Sequence, residues 1–519
     1  YDLSNIPYRH RPDDPEYNAA LDKAFELLTR GETSGVFQVE GAGLTRTLMD
    51  MRPSRFEHIV AAISLFRPGP LEYIPTYIRR MHGEEEVAYH HEKLEPILSE
   101  TYGIIVYQEQ IMQIASELFG YDLGDADLMR RAVAKKKKAE LDKHKERFLT
   151  EGPKNGIPAD VAEQIFSDIE FFARYGFNKS HAADYAVLTM QTAFLKAHFP
   201  HEYMTALLTI ERADTDKVGS YIMDCRRLGI DVLPPDINAS DHDFTIEEGA
   251  DGRRAIRYGL SAIKNVGEGA VEAILEARGD RPFKDLADFC KRTDLRLVGK
   301  RALESLIKVG ALDTFAERLR LLESVDRMMG YSSNVHKAAD IGQMSLFGAA
   351  TGVELDLDAS GLLVDRVENE ISNREKLQWE RDLVGVYVSE HPLQSVMGQI
   401  RQVVTAYSNQ ISEADHGRQV RMAGLVKSVR PYMTKNGKQM AFAEIEDLYG
   451  TIGVIVWPST WDETKELWVQ DRILQVWGTI DAERGEPQLK CEGASTKLEV
   501  WEAVDGYDNG YNNWAPPPY

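Results

Sequence analysis

The chain is 519 residues long, 43% apolar, and carries a formal charge of −22 from 61 Lys and Arg against 83 Asp and Glu. Such a length holds roughly three or four domains, and so large an acidic excess excludes nonspecific adhesion to a polyanion over the whole surface, so any nucleic-acid contact needs a local basic groove. No apolar run approaches the roughly 20 residues of a membrane helix, no positively charged leader precedes a short apolar core, and Cys225, Cys290 and Cys491 form no CxxC pair, which fits a reduced, cytosolic protein with no zinc ribbon.

In chain order, a polar lead with Pro7, Pro12 and Pro15 precedes an amphipathic helix over Ala19 to Leu28. A turn from Thr29 to Gly35 then introduces Val36-Phe37-Gln38-Val39-Glu40. The spacing predicts a helix from Met51 to Phe66, stopped by Arg67-Pro68-Gly69-Pro70, whose prolines and glycine fix backbone shape. Arg67 in that stiff loop is either aimed at phosphate or held in a salt bridge. Gly103 to Val106 reads as a strand passing into a polar aromatic helix start, Tyr107-Gln108-Glu109-Gln110. Those side chains either order a base or template strand by stacking and amide contacts, or Tyr107 caps the core; spacing leaves both open.

Tyr121 to Arg147 reads as one basic helix. Leu123, Ala126, Leu128, Met129, Ala132 and Val133 form its apolar stripe, Arg130 and Arg131 project from it, and Lys135, Lys136, Lys137 and Lys138 follow. From Asp127 to Arg147, nine Lys/Arg against four Asp/Glu leave a local +5, opposite in sign to the whole chain. Adjacent guanidinium forks on a stiff helix can hold a triphosphate bidentately without being catalysts; a solvated charged face is the competing account. The stretch Arg174 to Tyr185, RYGFNKSHAADY, again sets Lys, Arg and His into packed helix, a pattern suited to a polyanion. Nucleotide or nucleic-acid handling is the functional expectation.

After Pro234-Pro235, Leu260 to Arg278 reads as helix, glycine-containing hairpin, helix. Val266-Gly267-Glu268-Gly269 would let backbone N–H groups approach a phosphate, with Lys264 beside it; a plain αα turn is the alternative. Leu303 to Leu312 reads as a helix ending at Gly310. Leu322 to Ala359 loses periodicity and carries Gln343-Met344-Ser345-Leu346-Phe347, in which Leu346 and Phe347 are apolar anchors and Gln343 an orienting amide for a partner's pocket. Glu375 to Leu393 is a helical connector without assigned chemistry. From about Gln399 to Glu499 the pattern turns to β, with strands at Val420 to Val429, Gln439 to Glu446, Thr451 to Val456 and Arg472 to Ile480, suggesting an OB-fold barrel. Arg430, Tyr432, Lys435 and Lys438 are candidates for a single-strand contact, against ordinary solvated hairpin charge. Tyr507 to Tyr519 reads as a disordered tail.

Six blocks in one order carry a family resemblance: SGVFQVE (Ser34 to Glu40), LFRPGPL (Leu65 to Leu71), YGIIVYQEQIMQIA (Tyr102 to Ala115), GYDLGDADLMRRA (Gly120 to Ala132), YGFNKSHAADYA (Tyr175 to Ala186) and LPPDIN (Leu233 to Asn238). The chain resembles the bacterial replicative C-family DNA polymerases, the DNA polymerase III alpha subunits, from their fingers domain onward. The similarity weakens only in Leu322 to Asn373 and after about Glu499. Departures are Gly41 and Leu44, where the family usually has Ser and Met, Ala134 before four lysines, where it has Gly before two, and Asp184, an extra acid that could alter the charge of His181.

The resemblance implies a mostly α fold with a C-terminal β-barrel. Its domains would be fingers (1–234), a helix-hairpin-helix and clamp-binding domain with its flexible peptide (235–360), a helical connector (361–398), an OB-fold (399–499) and a tail (500–519). It implies two-metal phosphoryl transfer with Mg2+ held by palm aspartates. No palm block occurs in the sequence, and the start at Tyr1 reads as the start of a piece of something longer; the expectation is that no catalytic residue lies in this chain and that it does not polymerise alone.

By the same resemblance Arg130 and Arg131 contact the incoming triphosphate, His181 crowds the sugar and penalises a 2′-hydroxyl by overpacking, and Asn178 and Lys179 line the same pocket. Lys135, Lys136, Lys264, Gly267, Gly269, Arg430, Tyr432 and Lys435 bind DNA, and Gln343, Leu346 and Phe347 bind a sliding clamp. Implied partners are primer-template DNA, dNTP, the clamp, a palm-containing portion, and clamp-loader and proofreading subunits, in the cytoplasm and without a membrane. The alternative is a non-enzymatic, clamp-tethered DNA-binding scaffold, which has no need of Arg130, Arg131 or His181. An NAD-dependent ligase would need a KxDG lysine and zinc cysteines, and neither is present. The polymerase reading requires Arg130, Arg131 and His181 to line one open cleft.

Overall fold

The computed structural model describes residues 5–134, 138–172, 176–249, 251–340, 361–364, 371–387, 393, 396–411, 415–447, 450–482 and 487–498. It divides into two compact units at Ile210 and Glu211. The chain is mostly helical, with a closed five-stranded barrel in its C-terminal region.

The first unit is all helical: α1 (Pro15–Thr29), α2 (Ala42–Met51), α3 (Phe56–Leu65), α4 (Ile74–Met81), α5 (Glu95–Leu98), α6 (Gln108–Phe119), α7 (Leu123–Ala134), α8 (Lys138–Lys154), α9 (Ala159–Phe172), α10 (Lys179–His198) and α11 (Pro200–Ile210). Pro15 sits at the first helical position of α1, and the Asp14 carboxylate caps it by accepting from the Tyr17 N–H, satisfying a donor that the helix leaves orphaned. The expected single helix from Met51 to Phe66 is two. Arg52 adopts a left-handed φ of 48°, and Pro53 biases its predecessor away from helical backbone, so α2 ends and α3 starts afresh.

Two cores form. Helices α1 to α4 and α10 enclose one, and α5 to α9 enclose the other, in which Phe148 stacks on Phe119 with ring centroids 3.8 Å apart. This explains why Gly103 to Val106 is not the expected strand. Ile104 and Val106 bury into the first core while Ile105 buries into the second, so a period-2 apolar run is satisfied by straddling two helical cores. Among the described residues its end is tied by a single parallel bridge, Tyr107 to Phe177.

The expected basic helix is also two, α7 and α8, and Lys135, Lys136 and Lys137 lie outside the described residues. Of its predicted stripe, Ala126, Met129 and Ala132 are buried, but Leu123 and Leu128 are exposed. Helix α10 organises the first unit. Its buried Lys196 ammonium donates to the carbonyls of Glu32 (3.0 Å) and Ser34 (2.8 Å), and Thr189 and Thr192 hold the Phe37 backbone. Burying an ammonium is tolerable only with such partners, and they fix the Ser34 to Glu40 segment along α10.

The second unit begins with α12 (Thr215–Arg227) and a small sheet not anticipated from the sequence, β1 (Asp231–Leu233), β2 (Thr245–Glu248) and β3 (Arg254–Arg257), in the order β1-β3-β2. Helices α13 (Glu268–Arg278), α14 (Leu286–Arg292), α15 (Leu295–Val298), α16 (Lys300–Lys308), α17 (Arg318–Glu323) and α18 (Val325–Asp340) follow, then α19 (Asn373–Val384). Two expectations need correction. The first leg of the predicted hairpin is only a 3-10 turn, Leu260–Ala262, and the stretch expected to lose periodicity from Leu322 is helical as far as Asp340. Gln343, Leu346 and Phe347 lie outside the described residues.

The connector carries structural chemistry after all. Glu380 on α19 is fully buried and accepts from Arg318 at 2.8 Å, and Arg318 also grips Asp313; removing one partner of such a pair leaves an uncompensated buried charge. Arg381 pairs with Asp471 at the edge of the barrel. Gly385 (φ 82°) ends α19, where a Cβ would lie 2.2 Å from the Thr215 carbonyl oxygen, so only glycine fits.

The barrel comprises β4 (Gln419–Met433), β5 (Gln439–Glu446), β6 (Thr451–Val456), β7 (Ile473–Asp481) and β8 (Gln488–Ser495), in the closed order β4-β5-β6-β8-β7, with β6 and β8 parallel and the other pairs antiparallel. Alternation identifies the first four from sequence; β8, which closes the barrel, was not among the predicted strands.

Candidate nucleotide and nucleic-acid interfaces

The first candidate site is assembled where the start of α6, α7 and the start of α10 meet. Each member of Tyr107-Gln108-Glu109-Gln110 has an internal task. Tyr107 is fully buried, so it cannot stack on a base, and burial pushes its phenol well above the ordinary value. Gln110 accepts from the N–H groups of Val106 and Tyr107 and donates to Thr101. Glu109 accepts from the Lys179 N–H at 3.0 Å. Gln108 accepts from Arg130 Nη1 at 2.8 Å and donates to the Gly176 carbonyl at 2.9 Å, while its backbone N–H donates to Phe177 O at 2.9 Å.

Arg130 and Arg131 share Asp127. Arg130 Nε and Nη2 donate to Asp127 Oδ1 at 3.0 and 2.7 Å, and Arg131 Nε lies 2.8 Å from Oδ2. The hydrogen bonds from Arg130 hold the Asp127 carboxyl below the usual carboxylate range. The Arg130 side chain is 22% exposed and that of Arg131 61%, so Arg131 presents its remaining donors to solvent. Lys179 Nζ pairs with Glu100 at 2.7 Å and lies over the Tyr107 ring.

Asn178 caps α10, its side chain accepting from the His181 N–H at 2.8 Å. The exposed His181 ring packs against Tyr185, centroids 4.5 Å apart, and Phe177, 5.5 Å. It lines a crevice of about 210 Å3 with Gln38, Gly41, Leu44, Phe66, Arg67 and Tyr185 among its walls. Arg67 stacks over Phe177 at 4.0 Å and donates to Ser64 O at 3.2 Å, and burial lowers its pKa from the ordinary guanidinium value. Asp184 is exposed. Contrary to the sequence expectation, Arg130, Arg131 and His181 do not line one open cleft, and both arginines turn to the neighbouring Asp127, so a nucleotide reading can stand only in a form that spans two surfaces. They occupy two adjoining surfaces, linked through Gln108.

Several site features escaped the sequence reading. Gln38 lines the crevice with a left-handed φ of 67°, the kind of local strain that surrounding structure must impose. Tyr185 was quoted within its block but given no role. Arg67 was a candidate, but its stacking partner lies far away in sequence.

The second candidate site is the hairpin before α13. Lys264 is exposed, Gly267 caps the helix, and a Cβ at either Gly267 or Gly269 would meet open space, so a backbone phosphate can approach. Glu268 at the helix start opposes this, flanked by Arg212 at 3.7 Å and His242 at 3.9 Å. A repeat of the same pattern, missed from sequence, follows: Val266-Gly267-Glu268-Gly269-Ala270 recurs as Val298-Gly299-Lys300-Arg301-Ala302. In the second copy Gly299 (φ 79°) joins α15 to α16, Leu297 is 67% exposed, and Lys300 and Arg301 replace the acid and the glycine.

The third is the outer face of the barrel. Arg430, Tyr432 and Lys435 are all exposed. Tyr432 meets Phe442 edge-on at 6.1 Å, and Arg430 is directly opposite Phe442 in the β4–β5 register. Phe442, 44% exposed, is an outward aromatic that alternation along β5 would have flagged. No group of three or more His, Cys, Asp or Glu able to hold a metal ion occurs among the described residues. No described helix is long and apolar enough to cross a membrane.

Comparison with known proteins matches three stretches of the chain to described domains. Residues 15–156 match the bacterial DNA polymerase III alpha subunit finger domain, 229–321 a helix-hairpin-helix motif and 420–496 an OB-fold nucleic acid binding domain. The chain is 46% identical to the DNA polymerase III subunit alpha of Thermus aquaticus over 93% of its own length and 39% of the relative's. The figures are 40%, 89% and 35% for that of Deinococcus radiodurans, and 38%, 94% and 42% for that of Escherichia coli K12. The chain therefore spans about two-fifths of the length of these relatives, and over that shared part it belongs to the family of bacterial DNA polymerase III alpha subunits.

Proposed function

We propose that this chain is the nucleotide- and DNA-gripping part of a DNA-directed DNA polymerase acting in the bacterial cytoplasm. The incoming dNTP sets its triphosphate against Arg130 and Arg131 and its sugar against His181, with Asn178 and Lys179 fixing the start of α10 beside it. The single observation carrying this reading is the hydrogen-bonded link from Arg130 through Gln108 to the segment ending at His181, because it joins a cationic surface to a steric one, as a nucleotide requires. A DNA-binding scaffold has no use for that link.

Asp127 pre-aligns the two guanidinium forks, so less side-chain entropy is lost when phosphate replaces it. The imidazole packs against Phe177 and Tyr185, so a 2′-hydroxyl pressing on it would have to displace it from those rings. Mg2+, if held by palm aspartates of another part of the polymerase, would supply charge neutralisation and activation of the primer oxygen. The two hairpins hold the duplex backbone without reading sequence, and Lys135 and Lys136, which lie outside the described residues, are further proposed DNA contacts. Arg430, Tyr432 and Lys435 hold single-stranded template. Gln343, Leu346 and Phe347 tether the enzyme to a sliding clamp and raise its effective concentration at the primer end; clamp-loader and proofreading subunits are the remaining proposed partners.

The test is primer extension by this chain with and without a separately supplied palm-containing portion. Extension that appears only on mixing, and is lost with Arg131→Ala, is the expected result. A mixture that extends equally well with Arg130 and Arg131 both changed to Ala would remove the nucleotide role.

A further inference from the structure

We infer that Gln108 is a positioning residue that sets the register between the phosphate-facing Arg130 and the sugar-facing segment Phe177 to His181, so that the two ends of a nucleotide are measured as one length. The inference rests on the nucleotide-binding reading above and assigns it a residue that touches neither phosphate nor sugar.

The geometry leaves one orientation of the amide. Arginine only donates, so the Gln108 oxygen must face Arg130 Nη1, at 2.8 Å; a carbonyl only accepts, so the Gln108 nitrogen must face Gly176 O, at 2.9 Å. No other side chain of this length offers an acceptor and a donor at once. Glutamate would keep the bond to Arg130 but turn a second oxygen against the Gly176 carbonyl, and methionine would keep the shape and lose both bonds. The backbone links between the two segments, Phe177 N–H to Val106 O at 3.1 Å and Gln108 N–H to Phe177 O at 2.9 Å, do not involve the side chain. Arg130 likewise keeps Asp127. Changing the side chain therefore leaves those bonds in place and removes only the side-chain tie from Arg130 to the Gly176 carbonyl.

The experiment titrates the chain with dUTP and with UTP in the presence of Mg2+, by calorimetry, for the wild type, Gln108→Met and Gln108→Glu, and records the thermal midpoint of each. The expected result is about a tenfold loss of dUTP affinity, the scale of one hydrogen bond to a charged group, with a several-fold fall in the dUTP-to-UTP preference and a thermal midpoint close to wild type. If Gln108→Met fails to fold, Gln108→Glu carries the test. Wild-type chain that binds no dUTP overturns the nucleotide site and the inference with it. Wild-type binding with unchanged affinity and preference in the variants overturns the inference alone. So does an equal loss for both nucleotides together with a lowered midpoint, which would make Gln108 merely structural.

Discussion

The finger helices and the barrel offer cations to the same kind of ligand in opposite ways. Among the described residues of the first unit, Arg130 and Arg131 are leashed to Asp127 and the Lys179 ammonium to Glu100. Its interior is also partly polar, with His58, Tyr77 and Tyr107 all buried. The barrel packs Val420, Met422, Val426, Val454 and Leu474 inside and leaves Arg430, Tyr432 and Lys435 exposed on its outer face. A site that must distinguish one sugar from another needs side chains fixed before the ligand arrives. A surface that follows a flexible strand of any sequence needs only available aromatics and charge.

This contrast can be broken first by acid. His58 Nδ1 accepts from the Ser54 N–H, and Nε2 meets the Tyr102 hydroxyl at 2.9 Å. Burial, reinforced by the neighbouring Arg55 guanidinium, lowers its pKa to about 4 from 6.5. Between those values the unfolded chain binds the proton and the folded chain does not. The stabilisation is therefore complete above pH 6.5 and is lost as pH falls toward 4, by roughly 2–4 kcal/mol. Hydrogen-exchange protection, corrected for intrinsic rates, should fall in Ser54 to Phe66 over that range and persist in β4 and β5. His58→Gln should flatten the loss, and an equal decline in both regions would erase the distinction.

Next in size is Arg131→Ala. Losing a charge-assisted contact of about 2 kcal/mol should lower kcat/KM for dNTP incorporation some 30-fold in the palm-supplemented enzyme, with single-strand affinity unaltered. On the barrel, Tyr432→Ala or Phe442→Ala should cost about 1–2 kcal/mol of single-strand binding, measured by anisotropy with an oligonucleotide, and should leave dNTP affinity alone. A variant in either region that impaired both ligands would show that the two are not separate devices. The smallest effect is expected at the second hairpin. Arg301→Ala should reduce the salt slope of duplex binding by about one, whereas Lys264→Ala should do less, because Glu268 sits beside the first hairpin.

How much of this was legible in the sequence depended on whether a signal was local. Strands β5 and β6 coincide with the predicted ranges because alternation is read residue by residue, and Asn178 capping α10 follows from its place before Lys179. Gly103 to Val106 misled because two helical cores share the apolar run, Ile104 and Val106 serving one and Ile105 the other. The Met51 to Phe66 helix was overextended because Pro53 was not weighed against the apolar pattern. The second hairpin was visible as a repeat of Val-Gly and Ala at matched spacing, and was overlooked because it lacks the second glycine. Gln108 could not have been singled out, since both partners of its amide lie far from it in the chain.

The most direct test of the central claim is a structure of this chain with the palm-containing portion, primer-template DNA and an incoming dNTP. The account predicts that Arg131 has swung from Asp127 onto the triphosphate, with His181 in van der Waals contact with C2′. A triphosphate bound away from α7, with both arginines still on Asp127, would contradict it.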